Sequence, residues 1–224
     1  MHWPTIQALL DHLRHIAYLA GAPASTLGID SAWWNRSYEA GSNERYLSAD
    51  GEWQRFAIMA ALALYDRPRA TVLDLGCGTG RMVDFAQRYG ATRYIGVDFS
   101  FSALETARAR EMSEAGGALE VQWVQADLQA WEPTEEVDVV LISEVLYYLA
   151  RQDELLDCAL AALRPGGVLV VSMWNDGRRW FQWNAIKRAT RRRGASLDAA
   201  ATVHDHLPSW TIRRYTLPRR TPGA

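Results

Sequence analysis

Asp74-Leu75-Gly76-Cys77-Gly78-Thr79-Gly80 is the stretch of this chain with the most chemistry to offer. Gly76, Gly78 and Gly80 recur at every second position behind an acid. Glycine admits positive φ and lets a ligand lie against the backbone without meeting a Cβ. The apolar residues Val72, Leu73 and Leu75 lead in, and an amphipathic run (Met82, Val83, Phe85, Ala86, Tyr89) follows at once. That order predicts strand, tight turn and helix, with unpaired N–H groups of the helix aimed back at the turn. A dinucleotide turn, G-x-G-x-x-G, needs its third glycine where this chain has Arg81. A G-x-x-x-x-G-K-[ST] phosphate loop is absent as well.

A second acid falls 24 residues after Asp74, where the apolar run 93–97 ends at Asp98. An acid at the end of the second strand of a nucleotide-binding α/β fold accepts hydrogen bonds from both ribose hydroxyls. Phe99 follows it and is placed to lie against an adenine ring. The D-x-G-x-G-x-G turn resembles the first motif of the class I S-adenosylmethionine-dependent methyltransferases, and Leu163-Arg164-Pro165-Gly166-Gly167 before an apolar strand is similar to a later one. The resemblance covers about residues 71–174, near half the chain. It implies S-adenosylmethionine as cofactor, cradled by Asp74, Gly76, Cys77, Gly78 and Gly80. It further implies that Asp127 binds the adenine amino group while Leu128 donates a backbone N–H to the ring. Many small-molecule methyltransferases lid the cofactor with an N-terminal segment, and Trp34, Tyr38, Arg45 and Tyr46 are similar to such a lid. By that likeness Tyr38, Arg45 or Tyr46 reaches the methionine carboxylate, for which the fork of an Arg suits two oxygens. The alternative is that these rings only pack the N-terminal helix onto the core.

The elements that position these residues alternate strand and helix. Strands are expected at 71–75, 93–97, 119–124, 137–142 and 168–173, with helices at 52–65 and 152–163. The apolar run 137–142 suits a strand buried on both faces. Such alternation predicts a doubly wound, Rossmann-like α/β fold, with a seven-stranded, mostly parallel sheet and helices on both faces. Residues 200–207 and 210–217 are expected to close the sheet as an antiparallel pair. Upstream, residues 4–20 form an amphipathic stripe with His12 and His15 off it, whereas from 28 to 51 periodicity fails and aromatics crowd an irregular stretch. In the helix 52–65, Trp53, Phe56, Ala57, Ala60 and Leu64 are expected to face inward. The division predicted is a helical and aromatic cap over 1–66, a cofactor-binding domain over 67–218 and a disordered tail over 219–224. Ligands of such sheets sit beyond the carboxyl ends of the strands where strand order reverses. Asp74, Asp98, Asp127 and Ser143 all fall at or just past strand ends, so they converge there.

Composition bounds the rest. The 224 residues are 49% hydrophobic and 22% charged, ordinary for one folded domain. No apolar run nears the roughly 20 residues that span a bilayer, and Cys77 and Cys158 lack metal-ligand spacing, which fits a cytoplasmic protein. Net charge is -2, yet residues 176–224 hold eleven basic against three acidic side chains. That asymmetry marks either an anionic partner or a solvated basic helix face.

Methyl transfer from a sulfonium is an in-line displacement, so protein groups mainly position the acceptor and keep the site dry. Glu144, just past the fourth strand, is placed to orient an amine or take its proton; a solvated carboxylate at a helix start is the bland alternative. His204 and His206, alternating on one strand face, are the other candidate bases; no third ligand accompanies them, so a metal is not expected. Ser143-Glu144-Val145-Leu146-Tyr147-Tyr148-Leu149, with the aromatics upstream, resembles nodulation-type N-methyltransferases, which methylate an amino sugar. Trp34, Tyr46, Tyr147, Tyr148 and Trp174 would then be a platform for the acceptor, because a ring face meets an apolar face while a polar tip hydrogen-bonds. The expected protein transfers a methyl group to a small-molecule acceptor, amine or amino sugar ahead of oxygen, as a monomer or homodimer, with nucleic acid and membrane disfavoured. The alternatives are an RNA or protein methyltransferase, prompted by the basic tail, and a non-catalytic cofactor-binding subunit.

Overall fold

The computed structural model describes residues 31–39, 50–113, 119–175, 177, 179–204 and 209–219. The chain runs α1 (Ser31–Glu39), α2 (Asp50–Leu64), β1 (Thr71–Leu75), α3 (Met82–Arg88), β2 (Arg93–Asp98), α4 (Phe101–Ser113), β3 (Glu120–Gln125) and β4 (Val137–Ser143). After a single 3-10 turn at Leu146–Tyr148 come α5 (Gln152–Ala162), β5 (Leu163–Trp174), α6 (Trp180–Arg192), β6 (Ser196–His204) and β7 (Ser209–Thr216).

The seven strands form one sheet ordered β3-β2-β1-β4-β5-β7-β6. All neighbours from β3 to β5 are parallel, whereas β7 runs antiparallel to both β5 and β6. Strand order reverses between β1 and β4, which opens the crevice at their carboxyl ends. Alternation along the strands sorts the core into two faces. Leu73, Leu75, Val140, Ile142, Leu169 and Val171 pack with Leu156, Leu160 and Ile186 of α5 and α6. Val72, Tyr94, Val139, Leu141, Val170 and Ile212 pack with Phe56, Met59, Ala60 and Leu64 of α2 and with Phe85 of α3. The expected doubly wound sheet is present. Arg214 of β7 is buried and donates to the Leu62 carbonyl and to Asp66, each at 3.0 Å, tying the antiparallel strand to the end of α2.

Four expectations need correction. Residues 31–39, expected to be irregular, are helical; nine residues with scattered rings are too short for a stripe to show. Trp53 is not inward: it is 41% exposed, with its ring against Phe85 at 4.6 Å. The fifth strand starts at Leu163 instead of 168, because Leu163 already pairs with Val137 before the register shifts at Val139. The sixth starts at Ser196 instead of 200, since the apolar pattern of an exposed edge strand is weak there. The expected helix over 4–20 lies outside the described residues. No helix among the described residues is long and apolar enough to cross a membrane.

Candidate functional site

The glycine turn leaves β1 and is held from two directions. Gly76 and Cys77 donate backbone N–H groups to the Val97 carbonyl at 2.8 and 3.1 Å, and Gly78 donates to Asp98 Oδ2 at 2.9 Å. Gly76, Gly78 and Gly80 all have positive φ, at 78°, 53° and 73°. Each is also walled in. A Cβ on Gly76 would stand 2.2 Å from Val145 Cγ2, one on Gly78 2.9 Å from Tyr38 Oη, and one on Gly80 2.4 Å from Trp123 Cη2. The turn is therefore pressed between the post-β4 segment, α1 and the Trp123 ring behind it.

The acids at the strand ends differ in environment. Asp98 is buried and accepts N–H groups from Gly78 and, at 2.8 Å, from Ser100; burial pushes its carboxyl up while those bonds oppose the rise. A carboxylate offers about four acceptor positions, so lone pairs are left for a diol. Asp74 is buried, accepts the Tyr94 hydroxyl at 2.5 Å, and is pushed up to about 7, chiefly by burial and then by the nearby Asp98, with Tyr94 and Arg55 opposing. The same burial and the two acids push the Cys77 thiol up. Asp127 is exposed and accepts the Gln129 N–H at 2.9 Å, while Leu128 is buried in the core. Phe99 is half-buried, its carbonyl accepting from Gln125 Nε2 at 3.3 Å.

Helix α1 lies across this end of the sheet. Ser100 Oγ donates to Asn35 Oδ1 at 2.7 Å and Ser102 Oγ to Glu39 Oε1 at 3.3 Å. Tyr38 thereby reaches Gly78, and Trp34 stands 6.0 Å from Tyr38 and 5.1 Å, edge-on, from Tyr148. Tyr148 in turn packs on Tyr147 at 4.6 Å. Of the aromatic residues expected to form a lid and a platform, Trp34, Tyr38, Tyr147 and Tyr148 thus make one wall.

At the end of β4, Glu144 takes φ +58°, a left-handed conformation costly for a residue with a Cβ. Its carboxylate accepts the Tyr147 hydroxyl at 2.5 Å, the Trp174 backbone N–H at 3.1 Å and Ser172 Oγ at 3.3 Å. Burial pushes that carboxyl up, and the positive charge of Arg55 opposes it. Ser143 accepts from Arg55 Nη1. Trp174 is half-buried at the end of β5.

Arg55 and its partner Glu52 are site residues that sequence reasoning missed. Both are buried; Arg55 Nε donates to Glu52 Oε2 at 2.9 Å, and the Arg55 guanidinium lies 4.3 Å from the Phe56 ring centroid. Glu52 Oε1 and Trp210 Nε1 are buried without a hydrogen-bond partner among the described residues. The available signal was the helical stripe Glu52, Phe56, Met59, Ala63, which places position 52 on the inward face.

His204 is exposed at the end of the outermost strand, two strands from β5, and the structure does not bring it beside Glu144. Arg45, Tyr46 and His206 lie outside the described residues. No group of three or more His, Cys, Asp or Glu side chains among the described residues suits a metal.

Residues 48–216 match the family model described as a methyltransferase domain. The chain is 37% identical over 177 residues to a trans-aconitate 2-methyltransferase of Azoarcus sp. (strain BH72), covering 74% of this chain and 66% of that protein. It is 31% identical over 151 residues to nodulation protein S of Bradyrhizobium diazoefficiens, covering 61% of this chain and 70% of that one. Matches to two further trans-aconitate 2-methyltransferases span only 50% and 37% of their lengths. Among solved structures, the N-methyltransferase NodS from Bradyrhizobium japonicum WM9, in complex with S-adenosyl-L-homocysteine, superposes with a TM-score of 0.64 at 20% identity, over 80% of this chain and 97% of that one. Magnesium protoporphyrin IX methyltransferase from Synechocystis PCC 6803, with bound SAM, gives 0.67 at 16%, over 84% and 96%. At these identities the structures speak for the fold, and the family match speaks for the lineage. The glycine turn, the acid that closes it and the matched residues 48–216 agree, and the chain belongs to the methyltransferase-domain family.

Proposed function

We propose that this chain is an S-adenosylmethionine-dependent methyltransferase acting on a small-molecule acceptor, with an amine or amino sugar preferred. The observation that carries the reading is the joint between Asp98 and the glycine turn, where one buried carboxylate fixes Gly78 and Ser100 and keeps lone pairs for a ribose. Gly76, Cys77, Gly78 and Gly80 would hold the methionine portion under Tyr38, Asp98 the ribose and Phe99 the adenine, with Asp127 and Leu128 at the ring edge and Asp74 and Ser143 supporting the turn. The bound cofactor supplies an activated methyl group. The chain's own part is orientation and exclusion of water. Trp34, Tyr147, Tyr148 and Trp174 would line the acceptor side, beside the Glu144 carboxylate with Arg55 as its counter-charge and Arg179 over the Tyr147 ring. The hydrogen-bond-accepting Glu144 carboxylate at this wall supports an acceptor that carries an N–H or O–H.

A carboxylate acceptor is the second reading, favoured by the relatives whose names specify trans-aconitate. RNA is disfavoured by the α6 surface, where Arg188 and Arg192 are paired with Asp153 and Asp157 of α5.

Titration calorimetry with S-adenosylmethionine and S-adenosylhomocysteine tests the cofactor, and methyl transfer to glucosamine, tyramine and trans-aconitate then ranks the acceptors. One-site binding of both nucleosides is expected; no binding of either overturns the reading.

A further inference from the structure

Glu144 is held in a strained conformation, at φ +58°, for which its place in the proposed cofactor site gives no reason. Its backbone N–H donates to the Ser172 carbonyl at 3.0 Å, and its side chain is pinned by the Trp174 N–H and by Ser172 Oγ. These contacts deliver Oε2 to 2.5 Å from the Tyr147 hydroxyl. Strain of this kind persists where surrounding structure enforces it, and it clusters at working sites. Tyr147 is fixed from the other side as well: Tyr148 packs on its ring, and the Arg179 guanidinium carbon lies 4.1 Å from the ring centroid. Val145, between them in sequence, rests on Gly76 closely enough that no Cβ fits there. The glutamate–tyrosine pair is therefore attached to the glycine turn itself.

We propose that Tyr147 is the catalytic residue that contacts the reacting N–H or O–H of the acceptor, and that Glu144 is the positioning residue behind it that takes the proton. The proposal rests on the methyl-transfer reading above. As the lone pair of the acceptor atom forms its bond to the methyl carbon and the carbon–sulfur bond breaks with its electron pair left on sulfur, the acceptor proton passes to Tyr147 Oη. The phenolic proton moves to Glu144 Oε2. The carboxylate becomes a carboxylic acid, tyrosine ends neutral, and no other reactant is needed. The charged groups facing the pair fit this role. Arg55 and Glu52 face Glu144 from α2, and Arg179 faces Tyr147 from the start of α6. Burial favours the protonated carboxyl that the step produces. Three hydrogen bonds already fill most of the acceptor positions of Glu144, which sets it behind Tyr147 rather than against the acceptor.

The test uses the whole chain labelled with 3-fluorotyrosine, the Tyr147 fluorine resonance being assigned by its loss in Tyr147→Phe. Between pH 4 and 8 that resonance is expected to titrate with a midpoint above the ordinary glutamate value of about 4.3, and the transition is expected to vanish in Glu144→Gln. A flat resonance, or a transition that survives in Glu144→Gln, overturns the pairing. With an acceptor that turns over in the panel above, Tyr147→Phe is expected to lower kcat by about 10²–10⁴-fold, the usual range for a proton-transfer residue, with KM and S-adenosylhomocysteine affinity unchanged. A raised KM with kcat unchanged makes Tyr147 a mere platform and overturns the proposal. Calorimetry of the wild-type chain separates the two levels. Binding without the titration rejects the relay alone, and no binding rejects the reading beneath it.

Discussion

The backbone N–H of Gly78 ends 2.9 Å from Oδ2 of Asp98, a bond that joins the turn after β1 to the tip of β2 across 20 residues. The other oxygen accepts Ser100 N–H. One side chain is therefore a strut for the turn and, in the proposed reading, also the ribose contact. Asp98→Ala is expected to weaken S-adenosylhomocysteine binding by about 1–3 kcal/mol, and to lower unfolding free energy on the same scale, because two buried donors lose their acceptor. Asp98→Asn, which keeps one acceptor oxygen, should fall between. Calorimetry and urea unfolding read the two effects; undiminished affinity in Asp98→Ala removes the ribose assignment.

Asp74 makes stability fall as pH rises. Its carboxyl is pushed from 3.8 up to about 7 in the folded chain, so folding takes up a proton. The stabilisation is fully present below the unfolded value near 4 and is lost as pH climbs through about 7, at no more than about 1.4 kcal/mol per pH unit. Asp98 and Glu144 are raised as well and add in the same direction. Asp74→Asn, whose carbonyl still accepts the Tyr94 hydroxyl, should flatten the curve without levelling it. Urea unfolding at pH 4.5, 6 and 7.5 checks this, and an unchanged slope contradicts it.

The Glu52–Arg55 pair is asymmetric in its sensitivity. Arg55→Met strands a buried carboxylate and should cost about 3–5 kcal/mol, while removing both charges in Glu52→Gln/Arg55→Met should recover most of that loss. If the double variant is no more stable than the single one, the pair is not the buried unit described here.

Gly76 meets two separate penalties on substitution. At φ 78° an alanine costs about 1–2 kcal/mol in backbone strain, and the Val145 contact at 2.2 Å adds a steric cost of about 1–3 kcal/mol. Adding Val145→Ala to Gly76→Ala should return the steric share and leave the backbone share. Thermal melts of the two single variants and the double variant separate them.

The sheet was legible because its strands are written locally. Runs such as Val137–Ile142 and the glycines after Leu75 specify strand and turn without reference to distant residues, and Asp98 follows from its place at a strand end. Helix α1 was not legible, since its helicity is supported by Ser100, Ser102 and Tyr148 far along the chain. Arg55 was passed over for a related reason. An arginine on an amphipathic helix is expected in solvent, and here its burial depends on Ser143, 88 residues away. Trp53 shows the converse, an aromatic residue placed inward by type when the stripe of Glu52, Phe56 and Met59 turned it outward.

The lone antiparallel strand also dictates a schedule. A chain is made from its amino end, and β7, the last strand in sequence, sits between β5 and β6 in space. Until Ser209–Thr216 has left the ribosome, β5 presents a bare apolar edge of Val168–Met173, and β6 has no sheet neighbour at all. Such an edge invites pairing with other chains. The waiting strand is poorly suited to that, being Ala-rich, interrupted by Asp198 and largely exposed. The sheet is thus sealed only after all its other strands have been made, and a stall within β7 would leave a nascent protein whose parallel strands are in place but whose flank is open.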